Sequence, residues 1–175
     1  MKTRTLRTSA FASREELADA LQSLFLAELL QPSQPLWLIT PWISDVVVLD
    51  NRTGTFTGLV PDLATRQIRL TEILTHQMAR GGQVVIACRP NPHNTAFIQQ
   101  LTESAKSRGV AELLHWQFAE ELHEKGILSQ CAMLSGSMNL TYNGLRRLEE
   151  SILITRDPDS MARARHAYED RWGRP

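Results

Sequence analysis

The sequence predicts an α/β fold in which a β-sheet is covered by helices on both faces. Two short apolar runs carry this reading, "LWLITPWIS" from Leu36 and "QVVIAC" from Gln83, each rich in β-formers and bounded by Pro or Gly. Amphipathic helical stretches alternate with them. Strand, helix, strand, helix in that order implies right-handed parallel crossovers, which place helices on both faces of the sheet. The length of 175 residues suits a single domain spanning 1–175, with an N-terminal helical segment over 1–34 and an α/β core over 35–175.

Element by element, Ser13 followed by Glu16 matches a capping box, and Leu17, Leu21, Leu24 and Leu26 supply the buried stripe of the first helix. Pro32 and Pro35 end it. After the first strand, the Gly, Thr, Asn and Pro of Asp50 to Pro61 predict a long loop. A second helix is expected from Thr65 to Arg80, stopped by Gly81 and Gly82. "NTAFIQQLTESAKSRG" predicts a third, with Asn94 as cap and Gly109 as stop. Four short strands, "VAELLHWQ", "LHEKGILS", "CAMLSG" and "ESILIT", precede a final helix that begins after Asp157 and Pro158.

Charge and cysteine content narrow the function. Nineteen basic and nineteen acidic residues cancel, so no global field draws the chain onto nucleic acid or an anionic membrane, and any polyanion must be gripped locally. Cys88 and Cys131 lie in separate apolar runs without ligand spacing, which predicts two reduced core thiols and no zinc site. Arg14, Glu15, Glu16 and Asp19 interrupt any apolar stretch behind the basic Lys2, Arg4 and Arg7, and no run reaches the ~18 residues of a membrane span. A cytoplasmic protein with no membrane partner is expected.

The chemistry concentrates in "LHEKGILSQCAMLSGSMNLTYNG". Alternate residues of a strand share one face, so an extended "LHEKGILS" projects His123 and Lys125 together, and Ser137 and Asn139 do the same after the next strand. An imidazole, an ammonium, a hydroxyl and an amide in one pocket suit a phosphodiester: three bind the nonbridging oxygens, and the imidazole attacks phosphorus or protonates the leaving oxygen. Gly136 lets backbone approach the phosphate. No metal or cofactor is called for.

These residues resemble the motif of the phospholipase D superfamily, H-x-K, four residues, D, then G-S-x-N after about six more. Here it reads His123, Glu124, Lys125, "GILS", Gln130 in place of the Asp, "CAMLS", then Gly136, Ser137, Met138 and Asn139. "LTYNGLRRLEES" is similar to the family's N-x-T-x-x-G segment, which brings in Thr141, with a following acidic residue placed at Glu149 or, one register on, at Glu150. "LWLITPWIS" resembles the family's first strand. The resemblance implies a mixed β-sheet flanked by helices, with Glu149 orienting the imidazole. It also implies a homodimer, because the family's site needs two such motifs, one His acting as nucleophile and the other as acid, and this chain has one. Length and the "TPWIS" start look similar to phospholipase D-like proteins of bacterial deazaguanine DNA-modification or anti-phage clusters. Protein partners from such a system are then expected.

Blander readings stand beside these. His123 and Lys125 could be a core histidine and a snorkelling lysine, and "GSMN" a turn and helix cap. Arg146 and Arg147 are either solvated or a phosphate-tracking rim that binds substrate, and the same holds for Arg89. Trp37 and Trp42 are expected in the core, and His76, His93, His115 and His166 are expected to be structural or on the surface. The favoured function is a metal-independent nuclease acting on DNA through a phosphohistidine intermediate. A catalytically weak DNA-binding module and a lipid or nucleotide phosphodiesterase are the alternatives.

Overall fold

Both apolar runs form neighbouring parallel strands. In the computed structural model, which describes residues 3–8, 11–58 and 65–173, β2 (Leu36–Ile39) pairs with β5 (Val84–Cys88) in parallel, and β5 pairs likewise with β6 (Leu114–Phe118). The remainder is antiparallel. β7 (Gly126–Leu128) lies against the other side of β2, followed outward by β8 (Met133–Gly136), β9 (Ser151–Thr155) and β1 (Thr3–Arg7), so the mixed sheet runs β1-β9-β8-β7-β2-β5-β6.

Every residue of β2 and β5 is buried, as a central strand covered on both sides requires. Their side chains alternate between two cores. Leu36, Leu38, Val84, Ile86 and Cys88 pack with helices α1 (Phe11–Leu30), α2 (Leu70–Ala79) and α3 (Pro92–Ser107), while Trp37, Ile39, Val85 and Ala87 pack with Met161 and Tyr168 of α5 (Pro158–Trp172). Each such apolar side chain contributes ~1.5–3 kcal/mol through burial.

Several expectations are corrected. The expected N-terminal helical segment is preceded by β1, whose residues pair with β9 across the sheet edge, a partner about 150 positions away that no local pattern reveals. α1 starts at Phe11, so Ser13 lies inside it and Glu16 pairs with Arg4 instead of closing a capping box. Phe25 and Leu29 are fully buried in α1, whereas Leu26 is half-buried. α2 begins at Leu70, not Thr65, because Gln67–Arg69 is a strand (β4) paired with β3 (Val47–Asp50), and Ile68 meets Leu49 there. The expected loop is turn-like over 51–58, and its remaining stretch, including Pro61, lies outside the described residues. The cap of α3 is Asn91, with Pro92 opening the helix. Cys88 is buried as expected, but Cys131 is exposed.

Candidate active site

β7 is shorter than the expected "LHEKGILS" strand. His123 and Lys125 precede it on an extended connection, and β7 begins only at Gly126. Antiparallel pairing of β7 with β2 and β8 sets that connection at the carboxyl ends of β2 and β8, so Gly136 and Ser137 arrive beside it. The Gly136 N–H donates to the Lys125 carbonyl at 3.3 Å, which ties the two halves of the motif. His123, Glu124, Lys125, Ser135, Gly136 and Ser137 together line an open depression of about 540 Å³. The imidazole is exposed and has no hydrogen-bond partner among the described residues, whereas the Lys125 ammonium donates to the His123 carbonyl at 2.6 Å.

Gly136 is at φ 148°, and a Cβ there would lie 2.1 Å from the Ser151 carbonyl oxygen. Only glycine lets β8 turn out of the sheet at this point. At Gly126 a Cβ would meet the Tyr168 side-chain hydroxyl at 2.2 Å, so the residue after Lys125 is seated on α5. Past the motif, the Thr141 side chain caps α4 (Tyr142–Arg146) by accepting from the Gly144 N–H at 3.2 Å, and Gly144 packs against the Asn139 backbone. The spacing of Asn139, Thr141 and Gly144 is thus that of a loop held by its own helix cap. Asn139 is half-buried, and its Oδ1 lies 3.3 Å from the Thr40 hydroxyl.

The carboxylate facing Ser137 is that of Glu150. Glu150 is buried and accepts the Ser137 hydroxyl proton, while Ser137 Oγ accepts from the Ser151 N–H at 3.0 Å; Glu149 is exposed. With its one proton donated to Glu150, Ser137 positions that carboxylate. Thr8 holds Glu150 from the other side, its N–H donating to the Glu150 carbonyl at 2.9 Å and its hydroxyl accepting from the Glu150 N–H at 2.8 Å. Desolvation lowers the Lys125 pKa, as does the nearby positive Arg89, and Glu150 opposes them.

Other expected residues lie apart. Arg146 lines a separate cavity with α1 and β3, and Arg147 is exposed, its carbonyl accepting from Arg14 at 3.3 Å. Gln130, in the place of the motif Asp, sits beyond the far end of β7, where its N–H donates to Ser33 Oγ at 2.8 Å and its amide to the Gln31 carbonyl at 3.1 Å. Its replacement touches the start of β2 and not the depression. Trp37 is buried, but Trp42 is 42% exposed, with Arg89 over its ring at 5.2 Å. His93 bonds Ser44 at 2.8 Å, and His166 faces Asp170. Sequence reasoning had no signal for Thr8 or Thr40, each a lone threonine whose partner lies about a hundred or more positions away.

A family signature described as "Cardiolipin synthase, PLD-like domain" matches residues 55–172. The chain belongs to the phospholipase D-like family. By class it is accordingly a phosphodiester hydrolase, as the paired motif implied. Several solved structures share its fold. NucT from Helicobacter pylori has a TM-score of 0.62 at 12% identity over 97% of this chain and 94% of its own. Nuc, a phospholipase D family member from Salmonella typhimurium, gives 0.59 at 13% over 98% and 94%. Polyphosphate kinase from Porphyromonas gingivalis gives 0.62 at 12%, covering 99% of this chain but 24% of its own. No curated protein matches in sequence. Among the described residues, no cluster of three or more His, Cys, Asp or Glu could hold a metal, and no helix is long and apolar enough to cross a membrane.

Proposed function

We propose that this phospholipase D-like protein is a metal-independent nuclease that cleaves DNA in a site shared by two copies of the chain. The observation that carries the reading is the convergence of His123 and Lys125 with Gly136 and Ser137 on one open depression whose lining contains a single imidazole. His123 attacks phosphorus, the P–N bond forms, and the bond to the leaving oxygen breaks. The partner copy's imidazole gives its proton to that oxygen. Water, deprotonated by the same imidazole, then cleaves the P–N bond and restores both groups. Lys125 and the Asn139 amide neutralise charge on the nonbridging oxygens, with Glu150 adjusting the charge balance at Lys125. Protein partners of a DNA-modification or defence system belong to this proposal as its context.

The test is cleavage of a labelled oligonucleotide in excess chelator by the wild type and by His123→Asn. Cleavage by the wild type is expected to persist, and the variant is expected to lose turnover while keeping fold and binding, because only the chemical step is removed. Near-normal turnover by His123→Asn would overturn the assignment. Dependence on added magnesium would overturn the mechanism, and cleavage of a lipid phosphodiester in preference to DNA would overturn the substrate.

A further inference from the structure

Trp42 was expected in the core and is not there. It lies three residues beyond the end of the fully buried β2, between buried Pro41 and Ile43, and yet the residue is 42% exposed. The backbone around it is held from below by Asn94, which is fully buried. Asn94 accepts from the Ile43 N–H at 3.0 Å and donates to the carbonyls of Pro41 and Arg89, each at 2.8 Å. One side chain therefore fixes the residues on both sides of Trp42 and the residue whose guanidinium covers its ring.

The platform is also tied to both halves of the motif. Arg89 Nε donates to the Leu122 carbonyl at 2.7 Å, and Leu122 directly precedes His123. The Thr40 hydroxyl lies 3.1 Å from the Trp42 carbonyl and 3.3 Å from Asn139 Oδ1, sharing its proton between the platform and the motif amide. Burial lowers the Lys125 pKa, and the Arg89 charge lowers it further. An aromatic ring with a guanidinium over it and 42% of its residue exposed is thus joined to the motif through Arg89 and Thr40. That arrangement suits a stacked nucleobase whose phosphate continues toward Lys125. Holding the backbone on both sides of Trp42 beforehand removes part of the ordering cost that a mobile segment would bring to binding.

We infer that Trp42, backed by Arg89, is a base-stacking subsite beside the scissile phosphate, and that the substrate is single-stranded nucleic acid. Stacking needs an unpaired base face, which a duplex withholds. The inference rests on the proposed nuclease reading and narrows its substrate.

Its test measures binding by fluorescence anisotropy for a short single-stranded oligothymidine and for a fully abasic strand with the same number of phosphates, alongside cleavage in chelator. The wild type is expected to bind the base-bearing strand about tenfold more tightly or better. Trp42→Leu loses that margin, Trp42→Phe keeps most of it, and the abasic strand binds all three proteins alike. Equal wild-type binding of both strands, or a margin that survives Trp42→Leu, overturns the subsite. Cleavage of nucleic acid without the margin leaves the nuclease reading standing and removes only the subsite. A margin without any cleavage leaves the subsite standing and removes the nuclease.

Discussion

Thr8 shows how a residue with no motif can govern the site. It is 1% exposed, and its hydroxyl donates to the Leu148 carbonyl at 3.2 Å while accepting from the Glu150 N–H. Thr8→Val should orphan that buried N–H, costing about 1–3 kcal/mol, and should lower turnover as Glu150 loosens. Urea unfolding and kcat check the two effects together; an unchanged midpoint would refute the role. Lys125 makes a second prediction. In the proposed mechanism its ammonium must be charged to bind phosphate, and its pKa lies below the usual lysine value, so the alkaline limb of kcat/KM should fall early. Glu150→Gln removes a charge that raises the Lys125 pKa and moves the limb to lower pH. Arg89→Gln removes a charge that lowers it and moves the limb to higher pH. Shifts in the same direction for both variants would contradict the assignment.

Among the elements, α1 carries an unusual feature. Glu28 is fully buried there, its carboxylate accepting from Ser33 Oγ at 2.7 Å, the Ser33 N–H at 2.9 Å and Gln77 Nε2 at 3.0 Å. The same Ser33 hydroxyl accepts from the Gln130 N–H at 2.8 Å, so one polar cluster joins α1, α2, the start of β2 and the end of β7. Burial raises the Glu28 pKa above 4.5, and the two Ser33 bonds only partly oppose it. A carboxyl with a raised folded-state pKa binds its proton more tightly in the folded chain. Its contribution is complete below the unfolded pKa and is lost as pH rises through the folded one. Relative to the wild type, Glu28→Gln should therefore gain stability as pH rises above the ordinary carboxyl value of 4.5 through the raised one. Parallel stability curves for the two proteins would contradict this. At the β8 end, Gly136→Ala should cost about 2–4 kcal/mol, since it meets both a disfavoured φ and the Ser151 carbonyl. Denaturant unfolding measures it.

At the level of the whole molecule, the one imidazole in the depression lies on an open face, and the proposed mechanism uses two. A two-fold axis through the depression would supply the second from an identical chain. Mixing wild type with a threefold excess of His123→Asn, after exchange, should leave roughly a quarter of the activity expected from dilution alone, because mixed dimers lack one imidazole. Activity in proportion to the wild-type fraction, or a fully active monomer in sedimentation at micromolar concentration, would defeat the shared site.

Within the sequence alone lay the parallel heart of the fold and the residues of the motif. The runs that became β2 and β5 are apolar throughout because they are buried on both faces, a local property that needs no partner to be read. The spacing of His123, Lys125, Gly136, Ser137 and Asn139 is likewise local, since each half of the motif sits on one short connection. What tertiary structure decided depends on pairings between distant segments. β1 is a strand only because β9 offers it an edge, and Glu150 rather than Glu149 faces Ser137 because Thr8 and β9 set the register there. Trp42 looked like a core residue by composition. It is exposed because buried Asn94, about fifty positions on, holds the backbone on both sides of it; Arg89 lies over its ring, and neither contact leaves a trace in the periodicity of the chain.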